Sequence, residues 1–515
     1  MPDREELSKV VTTSQYFTMA FGTIVGVGWV IYLGYWLSPA GPMGAVLGFA
    51  LGAAMVMLIA LCYAETASIF PVSGGEMAYT YEMYGLRTSY LTGWLLALAY
   101  ISVVAWEAIS LAVLLETLFP VLHGPALYTV GGETVYVGSL VIGAVGMVGF
   151  TALHYLGVRW GAQVQNVLTG LFILSSLGFI VAGLGWGDPA NLQPLFKETP
   201  SGTASVLPGI LAVLMTAPYF LAGFDTIPQV LEEKDESTSL SSVGWVMVAA
   251  IGMAGVFYAL VILSASMAMP WEQLLELEEL PAAAAFRATF ESPLVADFVL
   301  AAALLGLLTS WNAIFVAASR LVFALSRARM IPPVFKTLHP DFRSPTKAVL
   351  FVGLIGALGV PLGQGGLGPV LDMGVICWAG VFLIVTVGAV RMRLRRPGLE
   401  RAFRVPGGTP VMSLGVAAAA FFVFLSVRDP YVSADGFPVE WGLLLAWLAL
   451  GGVFWWMARG VRSGVSEAER RRLIFGRTPA VSDGGSVGAP SPEERSPLVQ
   501  RESAEPSDAK PHAKL

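Results

Sequence analysis

The sequence predicts an all-α integral membrane protein with twelve transmembrane helices. Only 13% of its 515 residues are charged and 55% are apolar, whereas a soluble protein carries about 25% charged residues. The apolar runs between the charge clusters are long enough to cross a hydrocarbon core of about 30 Å, which takes about 20 helical residues. Lys and Arg are also distributed unequally between alternate loops. These observations indicate one integral membrane domain.

The apolar runs set the predicted spans and divide the chain into three parts. Residues 1–13 are predicted as a cytoplasmic N-terminal tail, residues 14–460 as the transmembrane domain and residues 461–515, rich in charge, Ser, Pro and Gly, as a disordered cytoplasmic tail. The predicted spans are 14–38, 43–69, 89–118, 138–157, 164–184, 206–231, 241–268, 294–326, 345–361, 368–392, 409–428 and 438–459.

The orientation follows from the basic residues. With the N-terminus inside, all but three of the 30 Lys and Arg residues fall in cytoplasmic segments, and the exceptions are Lys197, Arg287 and Arg428. Cytoplasmic loops of membrane proteins carry such an excess. We therefore expect a multi-pass protein of the cytoplasmic membrane with both termini inside.

The first and sixth spans carry residues that interrupt helices. The run 22–28 contains three glycines, each of which weakens a helix by about 1 kcal/mol relative to alanine. In the sixth span Pro218 and Pro228 bracket an acid, Asp225. Backbone is interrupted at this depth only where it lines a cavity or packs inside protein. For the first span alone, close packing of helices by small residues is an equally good explanation.

Two interrupted helices placed five helices apart indicate a transporter built from an inverted repeat. The repeat would pair residues 14–184 with residues 206–392 and leave the two helices of 409–459 outside it. Thr226 and Gln229 match a capping box, so a half-helix is expected to begin near Asp225 or Thr226. Its N–H groups, and those of the half-helix after Gly28, would face the interruptions, and such ends attract anionic groups.

Four stretches occur in a characteristic order between residues 12 and 460. They are the glycine-rich run 22–28, Tyr63 to Gly75, Phe220 to Glu233 and Arg320 to Pro345. Together they resemble the amino acid–polyamine–organocation superfamily of permeases. The resemblance implies a five-plus-five inverted repeat, alternating access and a small amine or amino acid held between the two interruptions.

The resemblance also implies roles for individual residues. A substrate carboxylate would bind the backbone of Thr23, Val25, Gly26, Val27 and Gly28. The amine would bind the backbone from Tyr219 to Gly223, which includes Phe220. Tyr219 or Phe220 would be an aromatic gate, and Trp29 and Trp311 are further gate candidates. Val27 stands where the superfamily often has Ser or Thr, so one side-chain donor is lost and Trp29 makes the pocket bulkier.

Two acids lie at mid-span, where an ionised acid costs about 2.5–3.5 kcal/mol. Glu107, in the third span, is either a counter-charge for an ammonium or proton carrier, or a structural group hydrogen-bonded to another helix. Asp225 is explained equally well as a helix cap and as the partner of a coupling proton or substrate amine. Both are candidate substrate-binding and coupling residues.

Polar residues of the eighth span are further coupling candidates. Thr309, Ser310 and Asn312 flank Trp311, and with carbonyls of the first span they would supply the oxygen ligands that Na⁺ prefers. Hydrogen bonds between helices are the alternative. Some proton-coupled members of the resembled superfamily carry a lysine in the fifth helix, but the span 164–184 has no Lys or Arg, so coupling to H⁺ or Na⁺ stays open.

These patterns predict a secondary active transporter rather than an enzyme. An amino acid is the favoured solute, and a polyamine or alkanolamine without a carboxylate is the alternative that Val27 and Glu107 support. A transporter-like sensor is a more distant hypothesis. We expect a small amine or amino acid and the lipid bilayer as partners, no nucleic acid, no cofactor and no firm metal site, and we leave a homodimer open.

Overall fold

The computed structural model describes residues 11–157, 161–198, 205–277, 280–428, 436 and 438–476. The α-helices are α1 (Thr13–Ile24), α2 (Gly28–Ile31), α3 (Leu33–Ile69), α4 (Gly75–Tyr84), α5 (Leu86–Leu118), α6 (Val137–Tyr155), α7 (Gly161–Trp186), α8 (Val206–Phe220), α9 (Thr226–Val230), α10 (Leu240–Ala268), α11 (Trp271–Leu274), α12 (Pro281–Phe290), α13 (Pro293–Arg327), α14 (Thr346–Ala357), α15 (Leu367–Arg395), α16 (Gly408–Arg428), α17 (Val439–Met457), α18 (Arg459–Ser463) and α19 (Glu467–Phe475). The strands are β1 (Ala126–Val130) and β2 (Glu133–Tyr136).

The helices have the length and composition of a membrane protein. Within the described part of the chain, ten are long and apolar enough to cross a membrane. Two shorter apolar segments, Val206–Phe220 and Thr346–Leu362, fall in the predicted sixth and ninth spans. The protein is therefore a predominantly helical, multi-pass membrane protein, as the sequence predicts.

The first two predicted spans follow one another around a sharp bend. α1, α2 and the start of α3 occupy the first span, and α3 enters the second after Gly41, whose φ is 66°. Pro39 and Pro42 flank the bend, where proline removes helix hydrogen bonds. A Cβ on Gly41 would lie 2.8 Å from the backbone nitrogen of Lys197, so the loop before α8 packs directly against the bend.

The interrupted first helix lies at the centre of the bundle. α1 contacts α7, α9, α10 and α13, while α3 packs against α8 and α10, and α5 packs against α13 and α15. Large aromatic side chains fill these interfaces, and Trp36, Trp94, Trp106, Trp311 and Trp378 are almost wholly buried. Because lipid is as apolar as these side chains, close packing and hydrogen bonds rather than hydrophobic burial hold such helices together.

A small hairpin departs from the all-α prediction. β1 and β2 pair antiparallel between α5 and α6, with Val130 opposite Glu133 and Gly131-Gly132 in the turn. Paired glycines are typical of two-residue hairpins because both turn positions take positive φ. Both glycines do so here. The two strands have only five and four residues, so the search for long apolar runs gave no sign of the hairpin.

The C-terminal region also departs from the prediction. A disordered tail was expected from residue 461, but α19 is a helix whose Ile474 and Phe475 are buried. The ring of Phe475 lies 5.5 Å from that of Phe70, and Arg471 forms an ion pair with Glu82 at 2.8 Å. The prediction is wrong for these residues, because two apolar side chains suffice to hold a short helix on a preformed surface. Residues 1–10 and 477–515 lie outside the described residues.

Arginines and glutamates pair at the end of the bundle where α19 and Val11 lie, and we call this the basic end. Val11 is held by backbone hydrogen bonds to Glu233 and Asp235. The ion pairs of the basic end are Glu65 with Arg393 and Arg401, Glu82 with Arg396 and Arg471, Glu232 with Arg327, and Glu233 with Arg320. They join α3 to α15 and the segment after it, α4 to the end of α15 and to α19, and α13 to the segment after α9.

Candidate functional site

The first span is interrupted where its glycines predict. The N–H of Val25 donates to the Phe21 carbonyl at 2.8 Å, and the helix resumes only at Gly28. A Cβ on Gly26 would lie 2.6 Å from Ser310 Oγ and 3.1 Å from Glu107 Oε1. Glycine therefore allows α5 and α13 to approach the interrupted backbone closely. The glycines of this span thus serve close helix packing and also lie where the helix is interrupted.

The sixth span is also interrupted, next to the first interruption. α8 ends at Phe220 and α9 begins at Thr226, as predicted. Between them Gly223 has a φ of 120°, a conformation that residues with a Cβ rarely adopt. A Cβ there would lie 2.9 Å from the backbone nitrogen of Ile24, so the two interruptions are in direct contact.

Asp225 accepts hydrogen bonds from backbone and side-chain donors around the second interruption. Its Oδ1 accepts the N–H of Gly223 at 2.8 Å, and its Oδ2 accepts the indole N–H of Trp378 at 2.8 Å and the Tyr100 hydroxyl at 3.1 Å. The carboxylate thus caps the interruption rather than the first turn of α9.

The predicted capping box is wrong. The Thr226 hydroxyl donates to the Gly223 carbonyl at 2.6 Å, so it does not cap α9. The Gln229 amide donates instead to Glu76 on α4, at 2.5 Å. Gln229 thus bonds to a residue that is distant in the sequence instead of capping its own helix.

A small cavity lies beside the two interruptions. Its volume is about 30 Å³, room for about one water molecule. Its lining residues are Thr23, Ile24, Gly26, Val27, Gly28, Val103, Trp106, Glu107, Tyr219, Phe220, Ala222, Tyr258, Ile314 and Trp378. We call it the central cavity.

Phe220 closes one wall of the central cavity. A Cβ on Gly28 would lie 2.4 Å from Cε1 of this ring, so the ring rests directly on the start of α2. Its centroid is 4.8 Å from that of Trp36 and 5.4 Å from that of Tyr32. The ring therefore fills the space between the start of α2 and these two aromatic side chains.

Glu107 places a carboxyl group at the cavity. Its side chain is buried, and Ser310 Oγ donates to Oε1 at 2.5 Å. Among the described residues, Glu107 Oε2 and the indole nitrogen of Trp106 have no hydrogen-bond partner. Buried polar groups are normally paired. The Tyr219 hydroxyl, also of a lining residue, has no partner in the described chain either, so the lining side chains carry three polar atoms with which a ligand could pair.

The sequence of this chain matches a known family. A sequence model of the amino acid permease family covers residues 11–454. The chain belongs to this family. The match spans both interrupted helices and every residue of the central cavity.

Individual relatives of this permease are similar over most of their lengths. It is 26% identical to a methylthioribose transporter of Bacillus subtilis (strain 168), over 87% of this chain and 92% of the relative. It is also 26% identical to a branched-chain amino acid permease of the same organism, over 85% and 90%. A human cystine/glutamate transporter is 26% identical over 85% of this chain and 84% of its own. All three are named as transporters or permeases.

The structure gathers seven of the predicted site residues of this permease around the central cavity. They are Thr23, Gly26, Val27, Gly28, Glu107, Tyr219 and Phe220. Val25, Gly223 and Asp225 lie in the interruptions but are not among the lining residues. These three residues affect the cavity only through the conformation of the backbone beside it.

The two predicted tryptophan gates lie elsewhere in the permease. Trp29 packs its ring 5.0 Å from Phe179 on α7, and Trp311 stacks on Phe150 of α6 at 4.2 Å. Neither is among the residues that line the central cavity, and their role as gates stays a prediction. Both side chains are wholly buried between helices, and sequence spacing did not reveal which helices they contact.

The polar residues of α13 make hydrogen bonds between helices. Thr309 Oγ1 donates to the Gly22 carbonyl at 3.3 Å, and Asn312 donates to Gln165 Oε1 at 2.8 Å. Gln165 in turn donates to the Thr309 carbonyl at 3.2 Å. These contacts are the structural alternative to an ion site, and in the described chain no group of three or more His, Cys, Asp or Glu stands close enough to hold a metal.

Two aromatic lining residues of the permease were missed. Trp378 on α15 borders the cavity and donates to Asp225, and the Tyr258 hydroxyl on α10 donates to the Ile24 carbonyl at 3.0 Å. Each stands in the middle of an apolar run. An aromatic residue at such a position gives no local sign of whether it faces a cavity or a neighbouring helix.

Proposed function

We propose that this permease is a secondary active transporter that moves a small amine-bearing solute, with an amino acid favoured, by alternating access. The observation that carries the proposal is the contact between two interrupted helices beside a buried cavity lined by Glu107. Interrupted helices that meet at mid-membrane depth are the usual substrate site of transporters built from inverted repeats.

We propose a twelve-helix architecture for this mechanism. Residues 14–184 and 206–392 would be the two inverted repeats, with the helices of 409–459 outside them. The interruptions at 25–27 and 221–225 support it, because they fall in the first helix of each repeat. The basic end would face the cytoplasm of the cell membrane, since cytoplasmic loops carry the excess of Lys and Arg.

The polarity of the central cavity supports an amine-bearing solute. Glu107 Oε2 is an acceptor for an ammonium, and a buried ion pair of this kind is specific because either charge alone is unfavourable there. The Trp106 N–H and the first N–H groups of α2, which have no partner inside a helix, are donors for a carboxylate. Together they match the two ends of an amino acid.

The second candidate is an amine without a carboxylate. Val27 borders the cavity and has no side-chain donor, so the carboxylate end depends on backbone groups and one indole. Glu107 would then supply the main recognition of an alkanolamine or polyamine. The cavity has to expand for either class, and we propose that movement of Phe220 opens it.

Uptake into proteoliposomes tests the proposal. The panel contains amino acids, the matching amines without a carboxylate, and methylthioribose, the solute named for one relative. Accumulation of amino acids above the matched amines is expected. Preference for the amines would favour the second candidate, preference for methylthioribose would refute an amine requirement, and saturable binding without any flux would favour the sensor hypothesis.

Imposed gradients test the coupling ion. H⁺ and Na⁺ are both candidates, with Glu107 and Asp225 as proton groups and Thr309 and Ser310 as cation ligands. An inward pH gradient is expected to drive accumulation if a carboxyl group carries the coupling ion, and an inward Na⁺ gradient if the α13 hydroxyls do. Accumulation that responds to neither gradient would refute secondary active transport and favour exchange or facilitated diffusion.

A further inference from the structure

Glu76 lies on α4, the short helix between α3 and α5, and is wholly buried. Gln229 on α9 donates to its Oε2 at 2.5 Å. The two elements are in direct contact, because a Cβ on Gly75 would lie 2.6 Å from Pro228 Cβ. Glu76 is thus attached to the half-helix that follows the second interruption.

The surroundings of Glu76 leave several buried polar atoms without partners. Glu76 Oε1, Gln229 Oε1 and the hydroxyls of Tyr63 and Tyr79 have none among the described residues. All four side chains are wholly buried. Such a cluster is unusual, since buried polar groups are normally hydrogen-bonded.

No basic side chain of the described chain forms an ion pair with Glu76, unlike its neighbours. Glu65, Glu82, Glu232 and Glu233 at the basic end each pair with at least one arginine. The titratable groups whose charges act on Glu76, or on which Glu76 acts, are Asp225, Tyr63, Tyr79 and Tyr100. All of these are acids, so none of them offsets a negative charge.

An ionised carboxylate in this position is unfavourable for two reasons. It has lost its water without gaining a cation, and a negative Asp225 would repel it. A buried acid relieves both costs by binding a proton. The Gln229 N–H donates to Oε2, a contact that a carboxylate and the carbonyl oxygen of a neutral acid both accept, and Oε1 is left to carry the hydroxyl of the acid. A donor N–H directed at the carboxyl group does not suit a metal cation beside it.

We propose that Glu76 is a proton-binding site: it holds a proton in this conformation and releases it at the basic end when α9 moves away from α4. On release the O–H bond of the carboxylic acid breaks, the proton passes to water and the carboxylate remains. The proposal rests on the transport function above, because the movement of α9 about residues 221–225 is the event that exposes Glu76.

Glu82 provides the matched control. It lies on the same helix but is paired with Arg396 at 2.6 Å and with Arg471 at 2.8 Å, so we expect it to be ionised. Glu76→Gln keeps the size of the side chain and removes the proton site. Glu82→Gln makes the same change at a paired acid. Glu76→Asp keeps a carboxyl group and serves if the glutamine variant does not fold.

Infrared spectra of the purified full chain at neutral pH test the proton directly. The C=O stretch of a protonated carboxyl is expected in the wild-type protein, to decrease in Glu76→Gln and to persist in Glu82→Gln. Glu76→Asp should retain the band at a shifted position. A spectrum that Glu76→Gln leaves unchanged would overturn the proposal, whether or not the protein transports.

Transport measurements test the release step. With an imposed gradient of about one pH unit, each coupled proton can support about tenfold accumulation. Glu76→Gln is expected to lose this accumulation while keeping exchange of labelled for unlabelled solute, and Glu82→Gln is expected to keep both. Retained pH-driven accumulation in Glu76→Gln would overturn the proposal. So would accumulation that requires Na⁺ and loses that requirement in Glu76→Gln, since Glu76 would then bind sodium.

The two measurements separate the proposals. If the wild-type protein takes up no member of the panel, the proposed function fails, yet the infrared band still decides whether Glu76 holds a proton. If uptake occurs and the band is absent, transport stands and the proton site at Glu76 fails.

Discussion

The two interrupted helices differ in which side chains lie beside their exposed backbone and can form hydrogen bonds there. At the second interruption, Asp225 accepts hydrogen bonds from Gly223, Tyr100 and Trp378. At the first, residues 25–27 have no acidic or amide side chain of their own, and the nearest polar side chains belong to α5 and α13. One interruption is closed by its own acid, and the other depends on its neighbours.

This difference separates a structural role from a binding role. An interruption that is already satisfied has little to offer a ligand, since its acceptor is occupied. The first interruption borders the cavity together with Glu107 and Trp106, which each keep an atom without a partner among the described residues. We therefore expect substitutions at the first interruption to change transport and those at the second to change stability.

Gly26→Ala should give the largest effect. The added Cβ would meet Ser310 Oγ at 2.6 Å and press on Glu107, and overpacking of this kind costs about 1–3 kcal/mol. We expect uptake to fall by up to about a hundredfold in proteoliposomes with equal amounts of protein. The control is Gly149→Ala on α6, where a Cβ meets nothing within 4 Å, and it should keep wild-type uptake. An equal loss of uptake in both variants would contradict a binding role for the first interruption.

Asp225→Ala should mainly reduce stability. It leaves two buried donors, the Gly223 N–H and the Trp378 indole, without their acceptor, while the Tyr100 hydroxyl keeps the Asp225 carbonyl at 3.1 Å. Unsatisfied buried groups cost about 1–3 kcal/mol each, so we expect a total loss of about 2–4 kcal/mol after relaxation. The measurement is the free energy of unfolding of the purified protein in detergent. Asp225→Asn keeps one oxygen and should lose less, and an unchanged free energy of unfolding in both variants would show that the carboxylate is not structural.

Glu107→Gln should change which solutes are transported. The amide oxygen can still accept from Ser310, so the fold is retained, while the negative charge beside the cavity is lost. A hydrogen bond to a charged group contributes about 1.5–3 kcal/mol, so we expect the apparent affinity for ammonium-bearing solutes to fall at least about tenfold. Competition binding gives the affinities, and an equal loss for a neutral solute of the same size would argue for a packing role.

Trp378→Phe should give the smallest effect. It removes one hydrogen bond to Asp225 but keeps a ring next to Tyr219, whose centroid is 5.5 Å away. The expected loss in unfolding free energy is about 0.5–1.5 kcal/mol. In the double variant with Asp225→Ala this loss should largely disappear, whereas full additivity would show that the two side chains act independently.

Much of the fold could be predicted because its signals are local. A run of apolar residues spans a membrane whatever its neighbours are, and the glycines of 22–28 and Pro218 and Pro228 weaken helices by their own chemistry. The positions of both interruptions followed from these residues. The hairpin and α19 were missed because short polar or amphipathic segments are stabilised mainly by the surface on which they pack.

The candidate site was only half predictable. Gly26, Glu107 and Phe220 stand out within their own spans, and they meet at the cavity. Trp378 and Tyr258 border the cavity without standing out in the sequence, and Trp29 and Trp311 do not border it. An aromatic residue in an apolar run has no local sign of direction. The side-chain direction on a helix depends on which neighbour fills the opposite face.

The sequence by itself determined that this chain crosses a membrane many times, where two of its helices are interrupted and that acids lie at depths where charge is unfavourable. Only the tertiary structure decided which of those acids is satisfied. The side-chain partners of Asp225, Glu76 and Glu107 lie 125 to 203 residues away along the chain, and the free energy of a buried carboxyl group depends on the donors and charges that surround it in space.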